Sequence, residues 1–241
     1  YYASKTNERE LTIEILEKWG KYDEIIKKIE EWKDAKFYPR LFKSLWMVKK
    51  YESIVEKYEK FYKESKDLKI LYYASLAFLS MGMGERVEDL IEEIEKKAKS
   101  KEDMYILHYI KGKYYEISGK YKEAIEEYGE AIKYGKDKKD ALLGMARCHY
   151  FLENIVEVEK IIVELPRDDA RTKALEALVM AKKGFVKGAL KLVDNVLEKE
   201  ELPDAILAKC IIMYEHGIEG VEKYLEKIIS VEPNNPIALK I

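Results

Sequence analysis

One local pattern returns along the chain: a glycine-centred turn, then an apolar set at helical spacing. It reads Gly20, Tyr22, Ile25, Ile29, Trp32, then Lys49, Tyr51, Ile54, Tyr58, Phe61, then Gly82, Val87, Ile91, Ile94. It continues at Gly119, Tyr121, Ala124, Tyr128, Ala131, then Glu153, Ile155, Val158, Ile162, Leu165, then Gly184, Val186, Ala189, Val193, Val196, and last Gly217, Val221, Leu225, Ile228. The turns are 29, 33, 37, 34, 31 and 33 residues apart. A period near 34 allows two helices and a turn per unit, and one such hairpin cannot bury its own apolar face. Units must therefore stack on one another, which predicts a solenoid.

The clearest unit lies around "KGKYYEISGKYKEAIEEYGEAIKYG", residues 111–135. Ile106, Tyr109, Gly112 and Tyr115 define a first helix ending near Gly119. Tyr121, Ala124, Tyr128 and Ala131 define one face of a second. Small residues at Gly112 and Ala124 mark a close helix crossing. On these residues the chain resembles the tetratricopeptide repeat family, and "SVEPNNPIAL" at 230–239 resembles its Pro-Asn linker. The resemblance implies an all-α, right-handed superhelix and a non-catalytic scaffold for protein interaction. The expected hairpins cover approximately 6–34, 35–67, 68–104, 105–138, 139–169, 170–202 and 203–235, all within one domain, 1–241. Residues 236–241 begin a further or capping helix. "EKKAKSKED" at 95–103 reads as the most irregular connection, and "LPRDDAR" at 165–171 as a shortened one.

In that family the first helix of each hairpin lines a concave groove. The groove face here reads Glu10, Glu14 and Glu17, then Lys43 and Trp46, then Tyr72, Leu76 and Leu79, then Tyr109, Lys113 and Glu116. Further on it carries Leu143, Arg147 and Tyr150, then Ala174 and Leu178, then Leu207, Ile211 and Tyr214. These residues predict an apolar, tyrosine-containing strip with isolated cations at Lys43, Lys113 and Arg147. Ile70 to Gly84 has no charge on any face, so Tyr72, Leu76 and Leu79 are expected to stand unprotected in the groove. No Asn occupies the groove face, which disfavours the carboxylate clamp of the family's chaperone-binding members.

Composition narrows the alternatives. Apolar residues make up 47% and charged residues 37%, with a net charge of −2 spread in both signs, so no global field selects nucleic acid or an anionic membrane. The absence of Gln and the abundance of Lys and Glu point to a thermophilic source. Cys148 and Cys210 sit 62 residues apart in apolar helical patterns and read as buried thiols, with a disulfide left open. His108, His149 and His216 fall in three different units, and none has a second His or Cys one helical turn on. No metal or cofactor is expected. "GKYYEISGK" lacks the spacing of a phosphate loop and joins two helices.

Lysines and aromatics interleave over residues 33–69, including Lys36, Lys43, Lys57, Phe37, Phe42, Trp46 and Tyr58. That pattern could serve single-stranded nucleic acid, yet the aromatics fall at helix-core spacing and acidic residues dilute the charge, so this reading is disfavoured. The longest uncharged run is too short to cross a bilayer. A cytoplasmic protein with a protein or peptide partner is the expectation, with self-association open. The chain opens on Tyr1 without methionine, so a regulatory or sensor module of a larger signalling protein is the alternative.

Overall fold

Seven turns of one kind set the architecture. In each, the N–H groups of two successive residues bond back over a helix end, as Gly119 does to the Glu116 carbonyl and Lys120 to the Tyr115 carbonyl. The pivotal residue takes a left-handed conformation at Gly20, Gly82, Gly119, Gly184 and Gly217. Lys49 and Glu153 adopt the same conformation without being glycine, with φ of 57° and 60°. Their turns make the same pair of bonds, Lys50 to Leu45 and Asn154 to His149 among them. The hydrogen bonds and neighbouring packing thus impose the bend where the residue type resists it.

The computed structural model describes residues 2–231, 235 and 237–241, with side chains from residue 5 onward. Fourteen α-helices and no strand occur among them. They pair as α1 (Tyr2–Lys18) with α2 (Tyr22–Trp32), α3 (Tyr38–Met47) with α4 (Tyr51–Ser65), and α5 (Leu68–Ser80) with α6 (Gly84–Lys97). Next come α7 (Lys101–Ile117) with α8 (Tyr121–Tyr134) and α9 (Lys139–Phe151) with α10 (Ile155–Glu164). The last pairs are α11 (Ala170–Lys182) with α12 (Val186–Leu197) and α13 (Pro203–Glu215) with α14 (Glu222–Val231). From α3 to α13 successive odd-numbered helices pack on one another, while each even helix packs on its odd neighbours. The result is an all-α solenoid with an inner layer of odd helices.

The two layers explain two kinds of sequence. Even helices bury one stripe, such as Val87, Leu90 and Ile94 of α6, and are amphipathic. The inner helices α5, α7, α9 and α11 are each covered by four neighbouring helices; α5 buries nine of its 13 residues and has no polar face. The core accordingly runs along the chain as overlapping clusters.

Tyr128 shows how tightly the layers meet. Its ring is fully buried and passes between Gly112 of α7 and Gly144 of α9. A Cβ on Gly112 would stand 2.7 Å from the ring and one on Gly144 2.4 Å from it, so both positions require the missing side chain.

One expectation on connections needs correction. Only residues 98–100 separate α6 from α7, and Ser100 and Asp103 close a reciprocal cap there, so the 95–103 stretch is ordered helix end and helix start. Ile237–Lys240 form one turn, in which the Lys240 N–H donates to the Ile237 carbonyl at 3.0 Å. Most of the Pro-Asn linker stretch, residues 232–234 and 236, lies outside the described residues.

Candidate binding groove

The inner faces of α3, α5, α7, α9 and α13, with the start of α11, enclose a concavity of about 300 Å³. A smaller apolar chamber of about 30 Å³ adjoins it between α9, α11 and α13. The stacking geometry brings these side chains together because every odd helix turns the same face inward.

One wall is aromatic and aliphatic: Trp46 of α3, Tyr72, Leu76 and Leu79 of α5, and Tyr109 of α7. Tyrosine rings pack in sequence, Tyr72 on Tyr109 at 5.9 Å, Tyr105 stacked on Tyr109 at 5.7 Å, and Tyr109 on Tyr128 at 5.9 Å. Burial pushes the Tyr72 and Tyr109 phenols well above their ordinary range, so both remain hydrogen-bond donors. Neither hydroxyl has a hydrogen-bond partner among the described residues, although Tyr109 is only 9% exposed.

Beside these rings, along α7, α9 and α13, runs a set of paired charges. Arg147 donates to Glu116 from Nε at 2.6 Å and from Nη2 at 3.2 Å, and reaches Asp204 from Nη1 at 3.3 Å. Lys113 stands 3.4 Å from Glu116, and the Tyr128 hydroxyl donates to it at 2.5 Å. Burial would raise the Glu116 carboxyl, but the Arg147 and Lys113 charges and these hydrogen bonds outweigh it and hold the carboxyl at about 2. Arg171 pairs with Asp140 at 2.8 Å beside the tyrosines. Three cations meet three anions, so the set has donors and acceptors but no net field.

Fourteen of the expected groove residues line these two spaces. Trp46, Tyr72, Leu76, Leu79, Tyr109, Lys113 and Glu116 border the larger; Tyr150, Ala174, Leu178 and Ile211 border the smaller; Leu143, Arg147 and Leu207 border both, and Glu10, Glu14 and Glu17 border neither. Lys43 and Tyr214 border neither: Lys43 bonds Glu17 at 3.1 Å, and Tyr214 is 55% exposed outside the concavity. The expected isolated cations are not isolated, since Lys43, Lys113 and Arg147 all hold carboxylates. Leu76 and Leu79 are not unprotected either; at 6% and 4% exposed they are core residues that show one edge to the cavity. The curvature of the inner layer, which no helical wheel contains, covers them.

Asp140, Arg171 and Asp204 were absent from the sequence reading. Glu116 and Arg147, like Asp140 and Arg171, are 31 residues apart, close to one repeat. Opposite charges at that offset on the first helices are the signal that would have found them.

The remaining chemistry is accounted for locally. His108 bonds Glu127 at 2.7 Å and stacks on Tyr134, while burial lowers the pKa of His149. Both cysteines are free and buried. No group of three or more His, Cys, Asp or Glu side chains could hold a metal among the described residues. In residues 33–69, Phe37, Tyr38, Phe42 and Tyr58 are core, and Lys36, Lys43, Lys50, Lys57 and Lys69 pair with carboxylates. No helix of the described residues is long and apolar enough to cross a membrane.

A family model described as tetratricopeptide repeat matches residues 117–182, from the last residue of α7 to the last of α11. The fold is that of the tetratricopeptide repeat. Solved structures agree on this at low identity. The chain of a Cut9–Hcn1 hetero-tetramer of the APC/C superposes with a TM-score of 0.63 at 12% identity, over 95% of this chain and 46% of that one. A tetratricopeptide repeat protein from Parabacteroides merdae gives 0.58 at 14% identity, over 97% and 98%. PilF of Pseudomonas aeruginosa gives 0.55 at 9% identity, over 86% and 95%. No curated protein matches the sequence. The helical hairpins of this chain thus have structural counterparts over nearly their whole length.

Proposed function

We propose that the chain is a non-catalytic interaction scaffold that takes a peptide or helix of a partner protein into its concave groove. The observation that carries this is the tyrosine wall. Tyr72 and Tyr109 present protonated hydroxyls without partners toward the cavity, beside apolar side chains and a charge-neutral set of ion pairs. Tyrosine offers large contact area at low entropy cost, and a hydroxyl open to the cavity can donate to an arriving peptide carbonyl for a net gain of about 0.5–1.5 kcal/mol. Two buried free thiols suit a reducing compartment, and the cytoplasm is the proposed location.

A photo-crosslinking residue at Tyr72, compared with one at Val163 on the convex side (81% exposed), tests this. The same partner protein should be captured from position 72 and not from 163. Capture from 163 alone would remove the groove from the function.

A further inference from the structure

The charges of the groove cancel in sum but are not equally open. Of the six charged side chains that border the larger space, Asp140 and Asp204 are the most open, at 43% and 34% exposed, and Lys113, Glu116, Arg147 and Arg171 are each more covered. Arg147 and Arg171 reach only Oδ1 of Asp204 and of Asp140, and neither Oδ2 takes a hydrogen bond among the described residues. Asp140 also lies beside the tyrosines: after burial, its charge is among the causes that push the Tyr72, Tyr105 and Tyr109 phenols up. Trp46, Tyr72 and Tyr109 border the cavity from three successive inner helices and belong to one aromatic cluster. Tyr109 is more than nine-tenths buried and its hydroxyl has no partner; a phenol that keeps its proton still carries lone pairs that accept from a cationic donor.

We propose that the partner segment anchors itself with a basic side chain, lysine or arginine, set between the Trp46, Tyr72 and Tyr109 rings and the Asp140 carboxylate. The proposal rests on the groove being the partner surface, and adds the chemistry of the residue that is recognised there. Aromatic rings attract a cation through their quadrupole, and a carboxylate with a free oxygen accepts a charge-assisted hydrogen bond from it. The aliphatic stem of the same side chain suits the edges of Leu76 and Leu79, which border the same space. An acidic anchor finds the reverse. Lys113, Arg147 and Arg171 already hold carboxylates, while the open Asp140 and Asp204 repel a further negative charge.

The test titrates the chain with fluorescently labelled peptides and follows anisotropy. The peptides share an alanine–leucine frame and carry lysine, arginine, norleucine or glutamate at the centre. The lysine and arginine peptides should bind about tenfold more tightly than the norleucine peptide, and the glutamate peptide most weakly. Asp140→Asn keeps an acceptor for Arg171 and should bring the lysine and norleucine peptides to similar affinity. If Asp140→Asn loses helical signal, Tyr72→Leu, which removes one ring and leaves the charges in place, replaces it with the same expected result. Norleucine or glutamate peptides that bind as tightly as the lysine one, a lysine preference that persists in the folded variant, or no binding by any peptide overturns the proposal. The photo-crosslink at Tyr72 reads use of the groove whatever the charge of the anchor, so the two readings fail separately.

Discussion

Gly144→Ala adds a single methyl group, and the structure assigns it a sign opposite to ordinary helix propensity. In an exposed helix interior the change stabilises by roughly 0.5–1 kcal/mol, because alanine loses less backbone freedom. At Gly144 the new Cβ would stand 2.4 Å from Cζ, 2.6 Å from Cε2 and 2.7 Å from the hydroxyl of Tyr128. The ring has nowhere to go: Gly112 closes its other side, where a Cβ would stand 2.7 Å from it, and its hydroxyl is tied to Glu116 at 2.5 Å. Overpacking of this kind costs about 1–3 kcal/mol, which leaves a net loss of about 1–2 kcal/mol after the propensity gain. For a chain of this size that corresponds to a fall in Tm of roughly 2–8 °C. Gly129→Ala is the internal control, since nothing lies within 4 Å of its Cβ position in α8, and it should raise Tm. Far-UV circular dichroism melts of the three proteins decide the matter. If Gly144→Ala melts at or above the native temperature, the clamp on Tyr128 is not tight and the crossing of α7, α8 and α9 is misjudged.

Lys49→Gly should stabilise by about 1 kcal/mol in denaturant titration, because an exposed lysine holds φ of 57° at a turn where five of the seven units place glycine. Arg147→Met should destabilise by about 3–5 kcal/mol, since it leaves Glu116 buried without its main counter-charge. Glu116 has a folded pKa depressed from 4.5 to about 2. Its contribution, on the order of 3 kcal/mol, is therefore complete above about pH 4.5 and lost as pH falls toward 2; Glu116→Gln should remove that pH dependence. Burial raises both thiols, Cys210 to about 11, so a thiol reagent at neutral pH should label neither cysteine before unfolding.

Much of the fold was legible because the repeat states its own rule. The turn glycines, the stripe of each even helix and the approach of Gly112 to Tyr128 follow from contacts within one hairpin, whereas Gly144 closes on that ring from the next hairpin and was not read. Lys49 and Glu153 show that even a missing glycine left the turn recognisable from its downstream face. The groove was legible only as a set of faces. Arg147 meets Asp204 across 57 residues, and Lys240 meets Gly119 across more than a hundred; both depend on superhelical curvature, which accumulates over several units. The burial of Leu76 and Leu79 depends on it too.

Hydrogen–deuterium exchange of the full chain, with and without the partner captured from position 72, tests the concave groove most directly. Binding is expected to slow exchange in α5, α7, α9 and α13, whose inner faces line the cavity, while α8, α10 and α12 keep their rates. Protection confined to the even helices would place the partner on the convex surface and contradict the groove.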